Sequence, residues 1–106
     1  TKIEKTEGQI EWSESAENII GKINGLYPSP GAFFIYNGER YKILKANLAL
    51  GIGKIGEVLD NYLEIVCGNK KSIKVLEIQR QGKRPQNIGE FMLGSQIKKG
   101  SNLNNV

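Results

Sequence analysis

The side chains in this sequence that are suited to specific chemistry are chiefly those of lysine and arginine. Positions 70–84 hold six basic residues and one acidic residue, Glu77. Three more basic residues lie within positions 40–45, and Lys22 stands apart from both groups. Clustered ammonium and guanidinium groups bind phosphate oxygens through charge and, for arginine, through paired hydrogen bonds. The pattern therefore indicates either a nucleic-acid partner or a solvated basic surface.

Covalent and metal chemistry find little support in the same composition. The chain has no histidine and one cysteine, Cys67, which excludes a Cys/His zinc site and a Ser–His or Cys–His catalytic pair within it. Cys67 ends an apolar run, so we expect a buried core residue, and a single cysteine suits a reducing compartment. The glycines at 51 and 53 are not followed by the helix that a phosphate-binding loop needs. We expect no catalytic, metal or cofactor site here.

Length and composition indicate one domain. The 106 residues are 39% hydrophobic and 25% charged, as in soluble globular proteins, and no apolar run approaches the roughly 18 residues that span a bilayer. The chain opens without a signal peptide or an initiator methionine, which predicts a cytoplasmic fragment of a longer protein. Residues 1–17 hold two basic and five acidic residues, and the remainder holds 13 basic and 6 acidic. We expect an interdomain linker at 1–11, a domain at 12–100 and a flexible tail at 101–106.

A helix is predicted shortly after Trp12, which precedes it as a hydrophobic staple. Ser13 is the expected N-cap, since its hydroxyl would accept from a backbone N–H two or three residues further on. Gly25 and the segment 28–31 are expected to end the helix. Its apolar stripe consists of Ala16, Ile19, Ile20 and Ile23.

The period then changes from 3.6 to 2, which is typical of strands, and Asn37-Gly38 is a hairpin signal. Alternation along the second strand places Arg40 and Lys42 on one face and Lys45 on the other, unless a twist or bulge intervenes. About five strands are predicted, over residues 32–36, 40–48, 55–59, 62–67 and 72–81.

A second short helix is predicted from Asn87, with Asn87 as N-cap, Glu90 three residues later and Gly94 as the stop. Five short antiparallel strands expose fewer unpaired edges when the sheet curls on itself. We therefore expect a mainly β fold: a small OB-like antiparallel β-barrel with an N-terminal helix and a short C-terminal helix.

Four segments, in order, resemble the C-terminal domain of the methionyl-tRNA formyltransferase family. Residues 10–13 and the helix after them resemble that family's opening. Residues 27–32 are similar to its Asn-Pro-x-Pro-Gly-Ala segment, with Tyr27 where Asn is usual. Residues 78–85 resemble its Leu-Gln-x-x-Gly-Lys-Lys stretch, and residues 90–94 with Gly100 resemble its closing helix and turn. The resemblance covers roughly residues 9 to 100.

The resemblance implies the second half of an enzyme that moves a formyl group from 10-formyltetrahydrofolate to the methionine on initiator tRNA. The catalytic residues would belong to an upstream Rossmann-like domain, so this chain would bind initiator Met-tRNA and not catalyse. The residues expected to meet tRNA phosphates are Lys22, Arg40, Lys42, Lys45, Lys74, Arg80, Lys83 and Arg84. Two alternatives are an accessory structural barrel of a sugar-nucleotide or folate-dependent formyltransferase, and a stand-alone OB-type binder of single-stranded nucleic acid.

Overall fold

The computed structural model describes residues 8–27, 31–95 and 97–103, and its first element is helix α1, Ala16–Leu26. The N-cap is Ser15, whose hydroxyl accepts from the backbone N–H of Asn18 over 3.1 Å. The prediction of Ser13 as the cap is wrong by two residues: Ser13 instead donates to the carboxylate of exposed Glu11. Of the predicted helix stop, residues 28–30 lie outside the described residues, and α1 continues one residue past Gly25.

The corrected cap gives a direct test of α1. We expect Ser15→Ala to lower the free energy of unfolding by about 1 kcal/mol, because the N–H of Asn18 loses its partner. Ser13→Ala removes a similar hydroxyl that caps nothing and is expected to cost less than about 0.5 kcal/mol. Urea unfolding of the two variants decides the matter, and an equal loss in both would refute the assignment of the cap.

Five strands follow α1 and form one antiparallel sheet. They are β1 (Ala32–Tyr36), β2 (Glu39–Ala49), β3 (Glu64–Val66), β4 (Ser72–Arg80) and β5 (Pro85–Asn87). The order is β1–β2–β4–β3, and β5 also pairs with β4. Because β2 occupies one edge of β4, β3 and β5 share the other edge, one pairing with each end of β4. The sheet curls into a half-barrel, which confirms the predicted mainly β, OB-like class.

Two details of the strands differ from the prediction. Residues 55–59 do not form a strand: Glu57 and Val58 make isolated bridges, and the fifth strand is β5, after the turn that ends β4. In addition, β2 has a bulge, with register shifts on both sides of Lys45. The sequence could not reveal the bulge because alternation assumes a regular ladder.

The core lies between the concave side of the sheet and the two helices. A row of four aromatic side chains crosses it: Trp12, Phe34 of β1, Tyr41 of β2 and Phe91, with successive ring centroids 5.9, 5.3 and 5.7 Å apart. All four are buried, and aromatic rings packed in this way supply much of the energy of a small core. The helix stripe Ala16, Ile19 and Ile23 is buried beside them, and Ile20 is partly buried. This row connects the segment before α1, the first hairpin and the short helix that contains Phe91.

The second helix, α2 (Ile88–Leu93), forms as predicted. The side chain of Asn87 accepts from the backbone N–H of Glu90 over 2.8 Å, and Gly94 is the C-cap. Near the two ends of the described chain, Ile10 and Leu103 are buried in the core, and Ile10 donates its N–H to the carbonyl of Phe33. The boundaries at 11 and 101 stay predictions, and residues 1–7 and 104–106 lie outside the described part.

Candidate nucleic-acid interface

The turn between β4 and β5 carries two of the predicted site residues, Lys83 and Arg84, and both are exposed. The N–H of Lys83 donates to the carbonyl of Arg80 over 2.9 Å, and the carbonyl of Lys83 accepts from the side chain of Gln79 over 2.9 Å. Gly82 has a φ of +80°, a left-handed conformation that glycine adopts without strain. The turn is therefore hydrogen-bonded, and it presents both cationic side chains to solvent.

Arg80 lies beside this turn but is not a free cation. Its Nε and Nη2 donate to the two carboxylate oxygens of Glu39 over 2.6 and 2.5 Å, a bidentate ion pair at the half-exposed start of β2. The hydrogen bonds from Arg80 lower the pKa of the Glu39 carboxyl, and the same pair raises the pKa of Arg80. Arg80 thus remains charged, but its attraction for a distant anion is largely offset.

Arg40 lies at the same end of the sheet, because its carbonyl accepts from the N–H of Gln81 over 2.9 Å. Its guanidinium covers the ring of Phe33 with 4.2 Å from Cζ to the ring centroid, a cation–π contact on the outer face of the sheet. These observations place Arg40, Arg80, Lys83 and Arg84 at one end of the sheet, with Arg40 on the outer face and Arg80 on the side of Tyr41. We call this group the basic end.

Two further predicted residues, Lys42 and Lys45, lie on the outer face, the face of the sheet opposite the core. Lys42 pairs in register with Gln79, and its stem covers Gly31, where a Cβ would collide with it. The bulge places Lys45 on this face as well, since Ala46 and not Lys45 packs against the core. Lys45 lies opposite Glu77.

The remaining two predicted residues lie away from the basic end. Lys74 is exposed near the start of β4, opposite Glu64 of β3. Because Arg80 is six residues further along, the two Cα atoms are about 20 Å apart. Lys22 is on α1, where its Nζ donates to the carbonyl of Gln9 over 3.2 Å. Neither joins the basic end.

A groove of about 670 Å³ opens between the β4–β5 turn and α2. One wall is formed by Arg80, Lys83 and Arg84, and the aromatic residues Tyr41 and Phe91 contribute to the lining. Burial raises the pKa of the Tyr41 hydroxyl, with a further contribution from the nearby carboxylate of Glu39. The rest of the lining consists of Pro85, Gln86, Glu90, Gly94 and Ser95.

Sequence reasoning missed Glu39 and the groove residues Tyr41, Gln86 and Ser95. Glu39 precedes its partner Arg80 by 41 residues, and no local spacing rule connects such a pair. The Asn37-Gly38 hairpin signal fixes the position of Glu39 at the start of β2, but the pairing of β2 with β4 was needed to place it beside Arg80.

Residues 8–27, 31–95 and 97–103 offer little for covalent or metal chemistry. Cys67 is buried, and burial raises the pKa of its thiol to about 12, so the thiolate that a nucleophile requires is scarce near neutral pH. Over those residues no cluster of acidic or cysteine side chains is arranged to hold a metal ion. Neither described helix is long and apolar enough to cross a membrane.

The fold and the basic end define a class: a small antiparallel half-barrel with a helix at either end and a cationic turn at its rim. A family profile described as "Formyl transferase, C-terminal domain" matches residues 2–96. The chain belongs to this family, which confirms the resemblance found in the sequence.

Proteins named methionyl-tRNA formyltransferase are similar to this chain. The one from Pelagibacter ubique is 71% identical over 106 residues, which cover all of this chain and 34% of that protein. The one from Paracoccus denitrificans is 43% identical over 93 residues, covering 88% of this chain and 31% of that protein. The chain thus spans about a third of the length of these relatives.

A solved structure shares the fold. HypX from Aquifex aeolicus, crystallised in complex with tetrahydrofolic acid, superposes with a TM-score of 0.69 and 17% sequence identity. The match covers 86% of this chain and 18% of that one.

Proposed function

We propose that this chain is the tRNA-binding C-terminal domain of a methionyl-tRNA formyltransferase and that it helps to position initiator Met-tRNA for formylation. The observation that carries the proposal is the β4–β5 turn. Lys83 and Arg84 are exposed there and form no ion pair with any residue of the described part of the chain. Family membership and the names of the relatives support tRNA as the class of RNA that is bound.

The proposed mechanism is electrostatic. Phosphates of RNA carry condensed counterions, which lysine and arginine side chains release on binding, so that affinity comes from charge and not from base sequence. Lys83 and Arg84 make the strongest phosphate contacts, with Arg40 beside them. Arg80 contributes less by charge because Glu39 already pairs with it.

The chemistry is assigned to the rest of the parent protein. There, 10-formyltetrahydrofolate supplies the formyl group, and a Rossmann-like catalytic domain upstream of this chain transfers it to the methionyl amino group, in the cytoplasm. Residues 1–11 connect the two domains. The half-barrel adds phosphate contacts that raise the effective affinity of the pair for tRNA.

The test compares folded and unfolded RNA. Folded initiator tRNA is expected to bind the chain more tightly than an unstructured single strand of equal length, because the cations are fixed on a rigid turn and sheet. Fluorescence anisotropy at about 0.1 M salt measures both affinities. Tighter binding of the single strand would favour the OB-type single-strand binder and overturn the proposal.

One observation favours the accessory structural barrel as a second candidate. Several large apolar side chains away from the basic end are exposed, notably Leu50 at 74%, Ile52 at 77% and Tyr62 at 62%. Exposed apolar residues are common at contacts between domains or subunits. A chain that binds no tRNA even near 50 mM salt would support this candidate.

A further inference from the structure

The groove between the β4–β5 turn and α2 is larger than contact with a backbone phosphate requires. Lysine and arginine side chains reach such phosphates from an open surface, as Lys83 and Arg84 do in the proposed function. The groove, at about 670 Å³, falls within the range of roughly 300–1,000 Å³ that is typical of small-molecule sites. Its size leaves room for a nucleoside as well as a phosphate.

The ion pair between Arg80 and Glu39 fixes the direction of the remaining arginine donors. A guanidinium has five N–H groups in a rigid plane, and Glu39 takes two of them, one on Nε and one on Nη2. Three N–H groups are left. Arg80 lines the groove whereas Glu39 does not, so the carboxylate holds the guanidinium from outside the groove.

The other lining residues suit the rest of a nucleotide. Lys83 and Arg84 place two more positive charges beside Arg80. Gln86 and Ser95 both donate and accept hydrogen bonds, and the carboxylate of Glu90 accepts them, as sugar hydroxyls and base edges require. Tyr41 and Phe91, packed edge to face at 83°, line the same recess although both rings are largely buried.

We propose that this groove binds one phosphate-bearing nucleoside unit, with the phosphate on Arg80, Lys83 and Arg84, and that Glu39 is the positioning residue for Arg80. The proposal rests on the proposed function in taking the unit to be a nucleotide of the bound RNA. A free mononucleotide presents the same chemistry, and the experiment separates the two sources.

The test is an NMR titration of the isotope-labelled chain with adenosine 5′-monophosphate, with inorganic phosphate in a parallel series. The mononucleotide is expected to shift the Arg80 Nε–H resonance together with the backbone amides of Gln86 and Ser95. Phosphate alone is expected to shift the resonances of Arg80, Lys83 and Arg84 only. A mononucleotide that leaves Gln86 and Ser95 unmoved overturns the groove as a nucleoside site.

Two matched variants test the role of Glu39. Removal of its negative charge alone would strengthen binding of the anionic mononucleotide, whereas loss of its positioning role would weaken that binding. Glu39→Ala is expected to weaken mononucleotide binding about tenfold, the size of a lost charge-assisted contact, although it raises the net charge. Glu77→Ala makes the same charge change on the outer face and is expected to leave that binding unchanged. Tighter binding by Glu39→Ala would overturn the positioning role.

Arg80→Lys serves as a second variant, since it keeps the positive charge and loses the planar guanidinium with its paired N–H donors. It is expected to weaken mononucleotide binding as Glu39→Ala does, and unchanged binding would overturn the positioning role. Both variants disturb a half-exposed ion pair, so both are expected to fold.

Competition with tRNA tests whether the nucleotide that the groove binds belongs to the bound RNA. Displacement of the mononucleotide by folded tRNA supports an RNA nucleotide in the groove. A mononucleotide that binds and is not displaced by tRNA overturns the RNA source. If tRNA binds and the mononucleotide does not, the groove proposal fails while the proposed function stands.

Discussion

Reversing the charges of Lys83 and Arg84 together, as K83E/R84E, is expected to weaken binding of initiator tRNA about sixtyfold at 0.1 M salt. Each phosphate contact contributes a factor of about eight at that salt, because it releases about 0.9 of a counterion per phosphate on a duplex. The slope of log K against log salt is expected to become shallower by about two units. Anisotropy titrations at several salt concentrations measure both effects.

The matched control is K54E/K70E, which changes the net charge by the same amount. Lys54 and Lys70 are exposed near the other end of β4, about 27 Å from the β4–β5 turn along this nine-residue strand. It is expected to lose less than about fivefold in affinity, since long-range attraction is screened within a Debye length. Equal losses in the two double variants would mean that net charge alone, and not the turn, accounts for binding.

The second large effect is on stability. Phe34→Ala is expected to lower the free energy of unfolding by about 3–5 kcal/mol, the usual cost of removing a buried aromatic ring. The ring is 2% exposed and lies between Trp12 and Tyr41, so its loss leaves a cavity in the middle of the aromatic row. Chemical denaturation followed by the fluorescence of Trp12 reports the change.

Tyr62→Ala is the control for Phe34→Ala. It also removes an aromatic ring, but one that is 62% exposed, and it is expected to cost less than about 1 kcal/mol. A comparable loss in both variants would mean that the aromatic row does not form the centre of the core.

Much of the fold was predictable from local signals in the sequence. The Asn37-Gly38 hairpin, the Asn87 cap and the apolar stripe of α1 each depend on a few neighbouring residues, and the structure has all three. The signals that failed were also local. Ser13 and Ser15 are both good N-caps, and the later start is favoured by a distant turn: the side chain of Asn69 accepts from the N–H of Ala16, and the N–H of Gly68 donates to the carbonyl of Glu14.

The arrangement of the site was less predictable than its residue types. Lysine and arginine enrichment pointed to an anionic partner, and family resemblance pointed to tRNA. The pairing of Arg80 with Glu39, however, depends on the β2–β4 ladder, which brings these two residues together although they are 41 positions apart. The side of the sheet on which Lys45 lies depends on a bulge, which simple alternation does not anticipate.

A salt series on the unmodified chain tests whether cations on this half-barrel bind tRNA through its phosphates. Binding of folded initiator tRNA is measured between about 50 and 200 mM salt, with an RNA duplex as comparator. We expect log K to fall linearly with log salt, with a slope of about −3 for contacts by Arg40, Lys83 and Arg84. Affinity that does not change with salt, or no binding at the lowest salt, would contradict this expectation.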